Sequence, residues 1–395
     1  MRSIKQVFAV SWLNIRNLPQ RLGASLVAVV GVAAVVLVFA AVLSMAKGFE
    51  RTMISAGAED TAIIMRSGAT SEMNSGLSHE QTLIVANAPG VLRDGDTPLS
   101  SAELYVIVDI PKKDTNEDAN VPLRGVQQAA FEVRNNVEIV EGRMFEPGRN
   151  EFVVGRAAQY EFVGLDVGST VRFGQTEWTV VGAFSAGGSV SESELWTDVR
   201  VLQDAYRRGN SYQSMRVKLA DEAALDELKS FLENDPRIDP DVMSERTYYS
   251  TQAEGLSRFI RLIGYPLTFL MAIGAVFGAL NSMYSSVSAR GREIATLRAL
   301  GFGPFPVMIS TIVESTLLAA AGGLIGGAVA YLVFNGFRVS TLNGASFSQV
   351  VFDFAVTGDL LLQGIVAALI IGVIGGLFPA IRAARMPVAQ ALRQL

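Results

Sequence analysis

Four apolar runs, at residues 22–46, 262–283, 307–334 and 360–381, constrain this chain more than any other feature. Each is long enough to cross a bilayer as a helix, which takes about 20 residues. Inside hydrocarbon every backbone N–H and C=O needs a partner within the protein, so such runs must be helical. The first has 25 residues and starts well inside the chain. That is longer than the apolar core of a signal peptide, and it reads as a retained anchor. Composition agrees, because 50% hydrophobic and 18% charged residues over 395 is too apolar for an ordinary soluble chain.

The basic residues flanking the runs set the orientation. Arg2, Lys5, Arg16 and Arg21 precede the first run. Arg290, Arg292 and Arg298 lie between the second and third, and Arg382, Arg385 and Arg393 follow the fourth, with Glu293 the one acid in these three segments. The segment after the third run has Arg338 against Asp353 and Asp359. The positive-inside rule therefore places both termini and the 288–301 connector in the cytoplasm, with residues 47–258 on the other side of the membrane. From Lys47 to Glu254 there are 34 acids and 20 basic residues. This acidic outer domain offers no basic patch, which excludes a nucleic-acid-binding role. The chain has no cysteine, so neither disulfides nor thiolate metal sites can support that domain. It must hold together through its own core, which about 200 residues can bury.

The expected fold is an α-helical membrane domain of four transmembrane helices plus a large α+β extracytoplasmic domain in two parts. Within the latter, "TAIIMR" (61–66) and "AELYVIVDI" (102–110) predict strands flanking a helix near 79–88. "SMRVKL" (214–219), a helix through 221–234 and a strand near 241–248 repeat that plan. A β-rich region with "EFVVG" (151–155), "STVRFG" (169–174) and "EWTVVGAF" (177–184) lies between, predicting an inserted subdomain. At the other end, Ile4, Val7, Phe8, Ser11, Trp12 and Ile15 recur at helical spacing beside Lys5 and Arg16. They predict an amphipathic helix within residues 1–21 on the inner membrane surface.

Candidate chemistry is sparse. None of the six lysines follows a glycine, so the chain has no Walker A phosphate loop. The one histidine, His79, stands beside Glu80 at a predicted helix start and reads as a surface residue at the helix cap rather than a metal ligand. Glu314 is the one acid inside a predicted span. A carboxylate there is costly and must face protein. Two readings stand: a polar contact to the connector, or packing in which Ser310, Thr311 or Ser315 satisfies it or the side chain snorkels inward. Gly274 and Gly278, and the "GGLIGG" set of Gly322, Gly323, Gly326 and Gly327, give the small-residue spacing that lets helices approach closely. They fit a dimer interface or contacts within one four-helix set.

The connector carries the most specific signal. The string "SARGREIATLRALGFGPFPVMISTIVESTLLAAAGGLIGG" (288–327) resembles the core of the FtsX-like permease domain of ABC transporters. In that family the pattern R-x-x-E-I-x-x-L-R-A-L-G forms a cytoplasmic segment that docks on the ATPase. Arg290, Glu293, Ile294, Leu297, Arg298, Ala299, Leu300 and Gly301 match it. The stretch 141–184, with its "EGR…PG…VVG…GSTV…VVG" cadence, is similar to the periplasmic core of MacB-type permeases. "FPAIRAARMPVAQALR" (378–393) is similar to the family's ending, where a proline closes the last span before a basic tail.

The resemblance, to MacB-type (type VII) ABC permeases, covers nearly the whole chain and implies several expectations. The membrane would be the inner membrane of a bacterial cell, and the membrane-proximal part 259–395 would be the FtsX-like permease domain. The chain itself would bind no cofactor and catalyse no reaction, with ATP and Mg held by a separate ATPase subunit present in two copies. A second copy of the chain, or a close paralogue, would complete the membrane part, and a periplasmic adaptor would sit above. Efflux is the implied activity. Extraction of lipoproteins or lipids from the membrane, or FtsX-like control of a cell-wall hydrolase, are the alternatives. Ile294 and Leu297 would supply the apolar anchors of the ATPase contact.

Overall fold

A computed structural model describes residues 6–8, 10–12, 16, 22–134, 136–221 and 223–387. The chain divides into two compact units. One comprises Met1–Lys47, Phe259–Phe337 and Phe354–Leu395, and the other Gly48–Arg258 with Arg338–Asp353. Its principal helices, in chain order, are α1 (Leu22–Ile54), α2 (His79–Ala86), α3 (Ala224–Glu233), α4 (Glu245–Ala289), α5 (Gly291–Ala299), α6 (Pro304–Phe334) and α7 (Gly358–Ala384).

Helices α1, α4, α6 and α7 are each long and apolar enough to cross a membrane. Their shared core is made of Val32, Val35 and Val36 from α1, Ala275 from α4, Ala319 from α6, and Ala368 and Ile371 from α7. Small residues dominate on α4, α6 and α7, so the helices approach closely and gain dispersion contacts where lipid offers no hydrophobic drive. Helix α4 runs for 45 residues, well beyond the expected 262–283. Its first turns bury Tyr248, Tyr249 and Ala253, whereas Leu262, Phe269, Leu270 and Phe277 farther along are exposed. Helix α7 contains Pro379 in its interior and continues to Ala384. This corrects the expectation that the proline closes the last span: bundle packing that fully buries Ala380 and Ala383 carries the helix past it. Of the N-terminal amphipathic segment, residues 6–8 and 10–12 are helical, with Phe8 and Trp12 exposed. Ile4 and Ile15 lie outside the described residues, as does Arg393.

The second unit is built on a mixed ten-stranded sheet. Its strands are β1 (Thr61–Arg66), β2 (Ser100–Pro111), β3 (Asp118–Val126), β4 (Glu138–Gly142), β5 (Glu151–Gly155), β6 (Thr170–Phe173), β7 (Thr176–Ser185), β8 (Leu195–Asp198), β9 (Ser214–Lys218) and β10 (Pro240–Ser244). The order across the sheet is β10-β1-β9-β2-β3-β8-β5-β7-β4, with β6 paired to β7. The predicted outer pieces form one half, β10-β1-β9, and the inserted piece forms most of the other. They are not separate bodies, because the 12-residue β2 belongs to both. Its Ser100–Glu103 segment pairs with β9, and Leu104–Pro111 pairs with β3. One core runs through both halves, from Ala62 and Ile64 to Phe152, Trp178 and Val180.

A further hairpin, β11 (Arg338–Asn343) and β12 (Ser348–Asp353), follows α6 in sequence and packs within this same unit. Tyr105 donates its hydroxyl to Ser348 Oγ at 3.0 Å, and the Val351 amide donates to Ser193 Oγ at 3.0 Å. The segment between the third and fourth spans is therefore part of the large domain. It lies on the same side of the membrane as residues 48–258.

Candidate functional site

The connector is a helix stopped and restarted by its own sequence. Helix α5 ends in a Schellman motif: the Phe302 amide bonds the Leu297 carbonyl and the Gly301 amide bonds that of Arg298, both at 3.1 Å. Gly301 has φ +94°, a left-handed conformation that a side chain would strain. Gly303 then caps α6 and Pro304 occupies its first turn, where the missing N–H costs nothing. "LGFGP" is thus turn chemistry that sets where α5 stops and the third span begins.

Ile294 points the other way from the expected docking anchor. It is 7% exposed and clusters with Val287 of α4, Val307 of α6 and Ala383 of α7. The physical reason is that α5 wedges its short apolar stripe, Ile294 and Ala295, into the end of the bundle, which leaves Leu297 half-buried. Arg290 is buried as well and pairs with Glu314 of α6. Arg298 Nη1 donates to the carbonyls of Ala384 at 2.9 Å and Met386 at 2.8 Å, capping the C-terminal end of α7. The matched residues therefore split into two sets. Arg290, Ile294 and Arg298 fasten α5 to the spans, while Glu293, Leu300 and Gly301 remain on the surface. Leu300 is 73% and the neighbouring Phe305 58% exposed, an apolar pair that sequence reading did not join.

Glu314 has found the connector. The two sides of the pair lie 24 residues apart and both are buried, so each guanidinium and carboxylate needs the other. Thr311 and Ser315 give their hydroxyls to the carbonyls of Val307 and Gly372 at 3.0 and 2.7 Å. The glycines also separate by role. A Cβ on Gly322 or Gly326 would strike the α1 backbone at Val29 or Ala33, and one on Gly323 would meet Ala368 of α7. A Cβ on Gly327 would come within 3.3 Å of Leu361 Cδ2, so that side chain would have to give way slightly. Gly274 and Gly278 of α4 have nothing within 4 Å of such a Cβ.

The large domain hides a charge cluster that sequence reading missed. Arg124 (β3) donates to Glu72 Oε1 at 2.7 Å, Glu103 Oε2 at 2.9 Å and Glu194 Oε2 at 2.7 Å. Arg216 (β9) reaches Glu72 at 2.9 Å, Glu103 at 2.6 Å and Glu245 at 2.7 Å. Arg134 adds a contact to Glu103 at 2.8 Å. All seven are buried. Burial alone would raise the Glu103 pKa, but the Arg134, Arg216 and Arg124 charges outweigh it and lower the carboxyl to about 2. Glu72 moves the same way for the same reason, held down by Arg124 and Arg216 against its desolvation. His79 opens α2 on the surface, inside the capping box that Ser78 and Gln81 form across the helix start.

The family profile described as MacB-like periplasmic core domain matches residues 23–234, more than half of the chain, and the FtsX-like permease C-terminal profile matches residues 267–388. The chain belongs to the MacB-type ABC transporter permease family. The macrolide export ATP-binding/permease protein MacB of Pasteurella multocida is 25% identical over 317 residues, 75% of this chain and 46% of that protein. The lipoprotein-releasing system transmembrane protein LolC of Xylella fastidiosa is 29% identical over 280 residues, 63% of this chain and 66% of LolC. Among solved structures, the periplasmic region of MacB from Actinobacillus actinomycetemcomitans matches with 16% identity and a TM-score of 0.36, over 50% of this chain and 94% of that one. The chain spans about half the length of the MacB relatives it matches. Within this permease family, the large sheet domain is the periplasmic core and the four spans are the membrane part.

Proposed function

We propose that this chain is the membrane subunit of an ATP-driven exporter, and that the outward face of α5 receives a separate ATPase in the cytoplasm. The observation that carries this reading is the two-sided connector. Its back is fixed to α4, α6 and α7 through Ile294, Arg290–Glu314 and the Arg298 bonds, while Leu300 and Phe305 stand open at its front. A partner that pulls on the front moves all three spans, because the back cannot slip without exposing a buried charge pair. ATP and Mg would be held by that partner, and nucleotide binding there would bias a two-state permease. Two copies of the chain would assemble in the inner membrane with termini cytoplasmic. Gly274 and Gly278 are the small surface left open for the second copy, and a periplasmic adaptor would complete the path.

Efflux is the leading activity. Release of lipoproteins from the membrane is the second reading, favoured by the match to LolC, which spans a larger share of that protein than of MacB. The size of the sheet domain weighs against a regulator of a cell-wall hydrolase. The test of the docking face is Leu300→Asp with Phe305→Asp. Both positions are exposed, so the permease should insert and pack normally yet lose its ATPase during detergent purification. ATPase retained at wild-type stoichiometry would overturn the assignment of this face.

A further inference from the structure

At the start of the connector, the ends of α4 and α7 and the first turn of α5 converge on an open cleft of about 730 Å³. Arg292 from the first turn of α5 and Arg382 and Arg385 from the end of α7 line it, together with Phe378, Ile381 and Met386. All three arginines are exposed. Among the described residues no carboxylate lines the cleft or forms an ion pair with them, and the sequence supplies no acid in 1–21 or 388–395. Arg382 also lies over the Tyr284 ring of α4, 5.5 Å from its centroid.

We propose that this cleft binds the phosphate of an anionic phospholipid. Three features select that ligand. The cations lie where an apolar span ends, with Leu377 and Phe378 exposed on the same helix and Ile374 exposed one turn farther in. An acyl chain can therefore run along α7 while its headgroup meets the guanidiniums, whose forked donors suit phosphate oxygens. The wall is also prepared for an anion. The carbonyls at the end of α7 would repel phosphate, but Arg298 occupies those of Ala384 and Met386. The first turn of α5 contributes Gly291 and Arg292 to the same wall. Basic residues that served orientation alone would project separately into the interface, without converging from two helices on one cavity.

The site also places a lipid against the first turn of the same connector whose exit at Leu300 we assign to the ATPase, so the bilayer's charge would bear on the stiffness of that element. The inference rests on the membrane embedding of the chain and stands or falls independently of the ATPase assignment.

The experiment is native mass spectrometry of the full-length permease in detergent, given phosphatidylglycerol and phosphatidylcholine of distinguishable acyl mass. Wild type should retain phosphatidylglycerol selectively. Arg382→Gln with Arg385→Gln should cut that retention by about tenfold, the loss of one to two phosphate contacts. Arg382→Lys with Arg385→Lys should keep most of it, and Arg338→Gln, on the large domain, should change nothing. A soluble headgroup, glycerol phosphate, should fail to compete at equal concentration. Equal retention of both lipids by wild type, unchanged retention in the double glutamine variant, or full competition by glycerol phosphate would each overturn the proposal. Since the substituted side chains are exposed, the glutamine variant should remain folded, and its unchanged melting temperature is the control. Co-purification of the ATPase with that variant separates this site from the docking face.

Discussion

Arg216→Met is the sharpest test of how the periplasmic core domain is held. Arg216 donates through Nε to Glu245, through Nη1 to Glu72 and Glu103, and through Nη2 to the Tyr249 hydroxyl at 3.2 Å. Methionine fills similar volume and makes none of these bonds. Glu72 and Glu103 would keep Arg124, but Glu245 would keep only Arg134 Nε, 3.9 Å away. The cluster holds three arginines and four glutamates, so removing one cation leaves two excess negative charges in a site shielded from water. Breaking a buried pair from one side costs ~3–5 kcal/mol, because the abandoned charge is no longer compensated. At ~1.4 kcal/mol per decade, 3 kcal/mol is about a hundredfold in an opening equilibrium.

Amide exchange in β1, β9 and the first turns of α4 should therefore speed up by about two orders of magnitude at neutral pH in the full-length protein, with the spans unaffected. Lysine at the same position should fall between, since one ammonium cannot serve Glu245, Glu72 and Glu103 together. The pH dependence has a definite sign. Folding lowers the Glu103 pKa from 4.5 to about 2, so its contribution, ~3 kcal/mol, is fully present above pH 4.5 and lost as pH falls toward 2. Wild-type protection in these strands should decline across that window. Exchange in Arg216→Met within about threefold of wild type at neutral pH would refute the claim that the cluster is a mutually dependent unit.

Two further outcomes concern the membrane part. Glu314→Leu should strand the buried Arg290 and uncouple ATP hydrolysis from transport in the reconstituted complex, whereas Arg290→Met with Glu314→Leu should recover part of the lost thermal stability by leaving no lone charge; a double variant no more stable than the single would show that the pair is not the interaction at stake. Gly326→Ala would drive a methyl to within 2.3 Å of the Ala33 carbonyl oxygen, so α1 and α6 must separate and the solubilised protein should melt at lower temperature, while Gly278→Ala, which meets nothing in its own chain, should not.

The spans were legible because lipid allows only one economical backbone solution, and a long apolar run has few other meanings. The strands at 61–66 and 151–155 were legible from β-branched and aromatic density, and both emerged with those bounds. What the sequence concealed was long-range pairing. Nothing local in Ser100–Pro111 says that its first four residues serve one half of a sheet and its remainder the other. Nor does a polar segment such as 338–353 announce that it will pack against β2 and β3, since its bonds to Tyr105 and Ser193 span more than 150 residues. The charge cluster did leave a trace. Glu103, Arg124 and Arg216 each stand between two apolar neighbours in a strand, and a charge so placed on a doubly covered strand needs a buried counter-charge.

The connector shows the limit of a motif read as a surface. A pattern of matched residues says which positions matter without saying which way they face, and here the helix is short enough that geometry decides. Nine residues make two and a half turns, so a stripe through Ile294 and Ala295 that packs on three spans leaves only the flank at Arg292, Glu293 and Thr296 and the exit at Leu300 for any partner. An apolar residue cannot be both the wedge in the bundle and the anchor in the ATPase. Ile294→Asp would therefore loosen the bundle itself, and loss of the ATPase in such a variant would report misfolding rather than a broken contact. Leu300 at the exit of α5 and Phe305 in the first turn of α6 carry the discriminating test because both side chains are exposed rather than packed into the bundle.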